Sequence, residues 1–286
     1  MHIRTKDFDL DSTLDCGQVF RWRHGGEWWT GVVRGHIVQA RQDGSDLVVN
    51  SGLDRDSIRQ YFRLDDDMAG IYSRINTDPV MDDLIHCFRG LRLIRQEPWE
   101  CLISYMASSC KSIPNIKDSI SNLCRQYGDD LGRDFSFPTA KALARTSESR
   151  LRETKLGFRS VNILEVAIKV DSGELDLGAP FELEYREARE LLMGMRGIGP
   201  KIADCVLLFG YDKMEAFPVD THILSVMEEH YGAFLKGAKS KRGEAISEFA
   251  RSYFGQYAGY AQQYLFNSRI SDYDTLTRSA DCTITK

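Results

Sequence analysis

The sequence contains no Cys-x-x-Cys pair. Its seven cysteines stand at 16, 87, 101, 110, 124, 205 and 282, so zinc-ribbon and iron–sulfur readings lack their ligand spacing. An odd, scattered set points to reduced thiols rather than a disulfide framework. No apolar run approaches the roughly 20 residues that span a bilayer. The opening Met1-His2-Ile3-Arg4-Thr5-Lys6 lacks the apolar core of a secretory signal. The expectation is a cytoplasmic, nucleoid-associated protein of a prokaryote, without a membrane partner. An excess of positive charge is missing too, the formal net charge being −5. That does not advertise a nucleic-acid binder. It does not exclude one, because a local patch and helix N-termini can hold phosphates. There is no internal repeat and no low-complexity tract. What remains is 286 residues of ordinary globular composition, 42% apolar and 28% charged, enough for about two domains.

The chain divides by periodicity. Residues 1 to about 92 read as mixed, mainly β structure. Glu27–Val33, His36–Ala40 and Asp46–Asn50 are short β-prone runs, with Gly35 and Gln42-Asp43-Gly44-Ser45 as turns of an antiparallel meander. This block carries three of the four tryptophans, expected in a sheet core. Residues 93–275 turn helical. Pro98–Met106, Ile116–Tyr127, Val161–Val170 and Tyr185–Met195 each place apolar residues on one face. Residues 276–286, rich in Ser, Thr and Asp, read as a tail. The fold class expected is α+β, an antiparallel sheet domain followed by a mainly helical region.

The informative segment runs from Leu191 to Gly210. A helix ends near Arg196, Gly197-Ile198-Gly199 makes a tight turn, and Pro200 occupies the favoured first position of a new helix. Ile202, Cys205, Val206 and Phe209 follow at helical spacing, and Gly210 closes the helix. Gly197 and Gly199 let the backbone approach another molecule and present N–H groups to an anion, such as a DNA phosphate. Two nucleotide-binding motifs fail here. A Walker A loop needs Gly-Lys-Ser/Thr, but Pro200 separates Gly199 from Lys201 and Ile202 follows. A dinucleotide fingerprint needs a third glycine at position 202 and a preceding strand.

Further on, Pro218-Val219-Asp220-Thr221-His222-Ile223 places Asp220 as the N-cap of an apolar-periodic run. The intervening helix and loop are long enough to fold Asp220 back toward Lys201. Hairpin, lysine and aspartate in this order resemble the helix-hairpin-helix-Gly/Pro-Asp family of base-excision DNA glycosylases. Within it, a lysine just after the hairpin marks the bifunctional glycosylase/lyases. Endonuclease III and adenine-mismatch enzymes usually add a four-cysteine cluster after the motif, whereas here only Cys282 follows Cys205.

Three other segments resemble 8-oxoguanine DNA glycosylases, so that the likeness spans about residues 8–270. Cys16-Gly17-Gln18-Val19-Phe20-Arg21-Trp22 matches an N-terminal element, Cys205 stands one helical turn beyond Lys201, and Ala258–Phe266 matches the late helix of the base pocket. The resemblance implies that Phe266 stacks on an extruded purine and Gln262 reads its Watson–Crick edge, with Cys205 in the pocket wall. The oxidised base differs from guanine chiefly by a proton at N7, and Gly17 would offer a backbone carbonyl to it. Gly157-Phe158-Arg159 matches a loop in which Phe158 intercalates and Arg159 reads the orphaned cytosine.

The mechanism implied is attack by neutral Lys201 on the sugar C1′, a Schiff base, and β-elimination. The positive end of its helix and partial burial are expected to favour the neutral amine, while Asp220 pulls the other way and is expected to stabilise charge on the sugar. Neither metal nor organic cofactor is expected in the chemistry. The resemblance allows a structural monovalent cation at the carbonyls of Met193, Met195 and Ile198. His222 is a candidate phosphate contact, with a plain helix-surface position as the alternative; Lys111 and Arg196 are similar cases. The expected partner is duplex DNA containing 8-oxoguanine, bound by a monomer. Cys110 and Asn115 depart from the family pattern for reading the opposite base, which predicts looser discrimination there. Two other readings stay open: a glycosylase for another oxidised or alkylated base, and a non-catalytic hairpin protein that binds DNA.

Overall fold

The computed structural model describes residues 1–109, 111–235 and 242–271. Cys110, Cys282 and the tail at 276–286 lie outside them. Five strands form one antiparallel sheet: β1 (His2–Arg4), β2 (Arg23–Gly25), β3 (Trp28–Val33), β4 (His36–Asp43) and β5 (Asp46–Ser51), in the order β1-β5-β4-β3-β2. The three runs expected from the sequence are β3, β4 and β5. The short outer strands β1 and β2 were not foreseen, because three residues are too few to show an alternation. Trp29 pairs with Ala40 and Ala40 with Val49, so these side chains share the face that is buried with Ile3, Val38 and Leu47.

Residues 54–88 correct the reading of the N-terminal block as mainly β. They form three helices, Arg55–Tyr61, Met68–Ile75 and Pro79–Cys87, each opened by an aspartate whose carboxylate accepts a backbone N–H. Aspartates that cap helices look like turn residues when read singly. The division near 92 is not a division of packing either. Ile58, Tyr61, Phe62 and Ile94 close the sheet core, whereas Met68 to Leu93 join the core of the helical region.

The helical region contains the expected helices, as Pro98–Ser108, Ile113–Tyr127, Ser160–Asp171, Tyr185–Met193, Pro200–Gly210 and Thr221–Tyr231. Pro98–Ser108 packs along Pro200–Gly210, and nearly every residue of both is buried. The helix Ala258–Ile270 is buried almost all round, between Met68–Ile75, Pro79–Cys87 and Thr221–Tyr231. Among the described residues no helix is long and apolar enough to cross a membrane.

Sheet and helices are joined through the segment after Gly17. Trp22 is 1% exposed, and its indole N–H donates to the Tyr61 hydroxyl at 2.7 Å. Arg21 pairs with Glu100 at 3.2 Å and also donates to the Phe135 carbonyl. Arg92, 2% exposed, donates to the carbonyls of Lys6, Asp7, Arg63 and Asp66. A buried guanidinium needs such partners, since an unpaired one costs several kcal/mol.

The Trp22 ring lies directly on β3 at Gly31, where an added Cβ would sit 2.5 Å from the indole. Gly31→Ala therefore forces a rigid, buried ring to move. We expect a loss of about 1–3 kcal/mol, read as a lower midpoint in urea or thermal unfolding; an unchanged midpoint refutes this packing constraint.

Candidate active site

Gly197 and Gly199 are both glycine for different reasons. Gly197 has φ +86°, and a Cβ there would meet the Asn162 side chain, including its Cβ at 2.9 Å. The fold itself requires this glycine. Gly199 has an ordinary backbone, φ −94° and ψ 179°, and open space where a Cβ would stand. Nothing inside the protein requires glycine there, and the open space leaves its backbone accessible from outside. Pro200 then starts the helix Pro200–Gly210, leaving its first N–H groups at the surface. Of the three carbonyls expected to hold a cation, that of Met195 accepts the Ile198 N–H at 3.2 Å.

Asp204 fixes how this helix is rotated. It is 1% exposed and accepts from the Tyr185 hydroxyl at 2.7 Å and from Arg189 Nε at 2.8 Å. Arg189 reaches on to Glu244 at 3.0 Å, and Arg251 donates to Tyr185 at 3.1 Å. Burial pushes the Asp204 carboxyl above its ordinary range, and Arg189 and Tyr185 pull it back. With Asp204 so tied, Lys201 and Cys205 line a cavity of about 560 Å³.

The same cavity is lined by Gly17, Asp220, His222, Gln262 and Phe266. Seven of the expected residues, distant in sequence, are thus brought together. Lys201 Nζ lies 3.4 Å from Ser108 Oγ and 5.1 Å from the centre of the Tyr105 ring. The Cys205 thiol is pushed up to about 12 by burial, with the Lys201 amine opposing. It is an apolar wall, not a nucleophile. Asp220 caps the helix Thr221–Tyr231 as expected, its Oδ1 accepting the Ile223 N–H at 2.9 Å. Among the described residues it forms no ion pair with Lys201.

Gln262 is 5% exposed, and its Oε1 has no hydrogen-bond partner among the described residues. An amide held buried with an unused acceptor is costly without a ligand. Phe266 lies against Gly17, its Cε1 3.1 Å from where a Gly17 Cβ would be, and it meets the exposed His222 ring edge-to-face at 5.8 Å. Gly17 itself has φ +74°, a conformation that glycine adopts without strain.

Four expected residues stand outside the cavity: Gly197 and Gly199 on the hairpin, and Phe158 and Arg159 on a separate loop. Phe158 is 59% exposed, unusual for its size. Arg159 is 6% exposed, its guanidinium lying over the Phe158 ring at 4.3 Å and donating to Leu156 O at 3.3 Å. As placed it is not presented to solvent, and reading a base requires it to swing out. Lys111 ties this loop, donating to Lys155 O at 2.7 Å and Ser119 Oγ at 2.6 Å; Arg196 is exposed.

Sequence reasoning missed Tyr105, Ser108, Asp204, Gln18 and Gln263 as parts of the site. Gln18 and Gln263 stood inside recognised segments, yet their glutamines gave no sign of facing inward. Gln263 donates to Cys16 O at 2.8 Å, and Gln18 donates to Thr13 O and Arg92 O.

Comparison with known proteins gives a consistent picture. Residues 1–102 match the family model of the 8-oxoguanine DNA glycosylase N-terminal domain, and residues 103–251 match that of HhH-GPD superfamily base excision DNA repair proteins. The chain is 32% identical to the N-glycosylase/DNA lyase OGG1 of Arabidopsis thaliana, over 98% of this chain and 82% of the relative. Among solved structures it is similar to MBOgg1 in complex with a low affinity DNA ligand, at TM-score 0.88 and 33% identity over 95% and 96% of the two chains. It is also similar to the Clostridium acetobutylicum 8-oxoguanine glycosylase/lyase bound to duplex DNA with cytosine opposite 8-oxoguanine, at TM-score 0.87 and 30% identity over 95% and 98%.

The contrast between the two hairpin glycines can be measured on the protein alone. Gly197→Ala is expected to lower stability by about 1–3 kcal/mol, and Gly199→Ala to change it by less than about 0.5 kcal/mol. Equal effects on the unfolding midpoint contradict the assignment.

Proposed function

The chain belongs to the HhH-GPD superfamily of base excision DNA repair proteins, and from that premise we propose the residue-level chemistry of its site. The protein is an N-glycosylase/DNA lyase that excises 8-oxoguanine from duplex DNA. The observation that carries the residue assignment is the convergence of Lys201, Asp220, Gly17, Cys205, Gln262 and Phe266 on one cavity.

A base must leave the duplex to enter such a cavity. Phe266 stacks on its face, Gln262 supplies the partner for its Watson–Crick edge, and the Gly17 carbonyl accepts the N7 proton that guanine lacks. Cys205 completes the apolar wall. Supporting this, Gln262 Oε1 is buried without a partner among the described residues, and no hydrogen bond there uses the Gly17 carbonyl. Lys201, as the free amine, attacks C1′ of the extruded nucleotide. The glycosidic bond breaks, and its electron pair leaves with the base, which is protonated. Asp220 stabilises positive charge on the sugar. Opening of the sugar ring gives the Schiff base, and loss of a C2′ proton expels the 3′ phosphate.

Outside the cavity, Gly197, Gly199 and His222 hold backbone phosphates. Phe158 fills the gap in the stack and Arg159 reads the orphaned base. One chain carries all these groups, which supports action as a monomer. Its DNA substrate supports a DNA-associated place in the cell. The alternatives, another damaged base or a non-catalytic binder, leave the Gly17 carbonyl or Lys201 without a task.

Borohydride trapping on an 8-oxoguanine duplex tests the nucleophile. The intact protein is expected to give a covalent adduct and Lys201→Gln none; an adduct of undiminished yield in the variant overturns the assignment. Opposite-base preference is expected to be loose, since Asn115, which is exposed and short, and Cys110, which lies outside the described residues, depart from the family pattern. Excision from duplexes carrying each of the four bases opposite 8-oxoguanine should proceed at comparable rates, and strong preference for cytosine contradicts this.

A further inference from the structure

Tyr105 touches both halves of the site. It lies on the helix Pro98–Ser108 and is 4% exposed. Its ring stacks on Phe209 at 5.6 Å with 6° between planes, and meets Phe20 edge-to-face at 5.6 Å. These contacts pack the ring on one face and along one edge. The Lys201 Nζ lies over its face, 5.1 Å from the centroid, so the ring is the surface against which the amine rests. At the other end of the same ring, the hydroxyl donates to the carbonyl of Gln18 at 3.1 Å.

That carbonyl belongs to the residue after Gly17. It also accepts from Gln96 Nε2 at 2.7 Å. On the other side of Gly17, the Cys16 carbonyl accepts from Gln263 at 2.8 Å. The tripeptide 16–18 is therefore held at both flanking carbonyls, with the Gly17 carbonyl between them. Burial raises the Tyr105 phenol well above its ordinary value, so it remains a donor at working pH.

We infer that Tyr105 is a positioning residue with two separable tasks: its hydroxyl sets the Gly17 peptide that discriminates the oxidised base, and its ring face sets Lys201 for attack. This rests on the reading of Gly17 and Lys201 given above. The connection means that one rigid side chain fixes the distance between the group that identifies the lesion and the group that attacks its sugar. A purely structural tyrosine would serve neither more than the other.

The two tasks predict different losses. The full-length protein and two kinds of variant are compared on 8-oxoguanine and guanine duplexes, and on a duplex with a preformed abasic site. Tyr105→Phe keeps the ring and removes one neutral hydrogen bond, typically worth a factor of about three to ten. The ratio of kcat/KM for 8-oxoguanine over guanine should fall by about that factor, while strand cleavage at the abasic site stays within about twofold of wild type. Tyr105→Leu and Tyr105→Met remove the ring. Borohydride trapping on the abasic duplex should fall about tenfold or more in whichever of the two melts as a folded protein, and Tyr105→Phe should restore it.

Wild-type discrimination in Tyr105→Phe, wild-type trapping in a folded ring-deleted variant, or equal loss of both activities in Tyr105→Phe each overturns the inference. Failure of the underlying reading looks different. Wild-type protein that excises guanine as fast as 8-oxoguanine removes the role of Gly17, and trapping that survives Lys201→Gln removes that of Lys201.

Discussion

The buried carboxylate of Asp204 is the constraint on which the site depends. A lone carboxylate at this depth would be strongly unfavourable. Tyr185 and Arg189 satisfy it, and Arg251 and Glu244 extend the network to the helix Arg242–Phe254. One rotation of the helix Pro200–Gly210 fulfils these bonds. Because Lys201 and Cys205 sit three residues before and one after Asp204, that rotation also decides what they face. Removing one partner from such a network would leave a charge buried and uncompensated.

A second constraint acts on the backbone rather than on a side chain. Gly17 lies between two residues whose carbonyls are held, Cys16 by Gln263 and Gln18 by Gln96 and Tyr105. The Gln18 side chain bonds to Thr13 O, Arg92 O and the Ile94 N–H, fastening the turn to the segment that connects sheet and helices. Discriminating two bases by one proton requires an acceptor that does not drift, since a displaced hydrogen bond loses its preference. The N-terminal sheet contributes to the site through this fastening. Its own strands do not line the cavity.

Some features legible in the sequence share one property, that they are local. The strands β3, β4 and β5 followed from short β-prone runs between glycine turns, and Asp220 as an N-cap followed from its place before an apolar periodicity. The hairpin was readable because Gly197, Gly199 and Pro200 each answer a backbone requirement. The helices at 55–87 were missed because their capping aspartates and short apolar spacings resemble loops and turns. Gln18, Gln263 and Asp204 were missed as well, since a polar residue on a helix or turn is more often solvated than buried.

The sequence by itself determined the three central strands, the hairpin with its lysine, and the class of chemistry that a lysine and an aspartate in that order permit. The tertiary structure decided which residues meet. It placed Gly17 and Phe266 in contact across about the full length of the chain, left Gln262 Oε1 unpaired in the cavity wall, and folded Arg159 over Phe158. It also set Tyr105 between the Gln18 carbonyl and Lys201. The reason is physical. Backbone conformation answers to neighbours in the chain, whereas a buried polar group is fixed by whichever distant partner satisfies it.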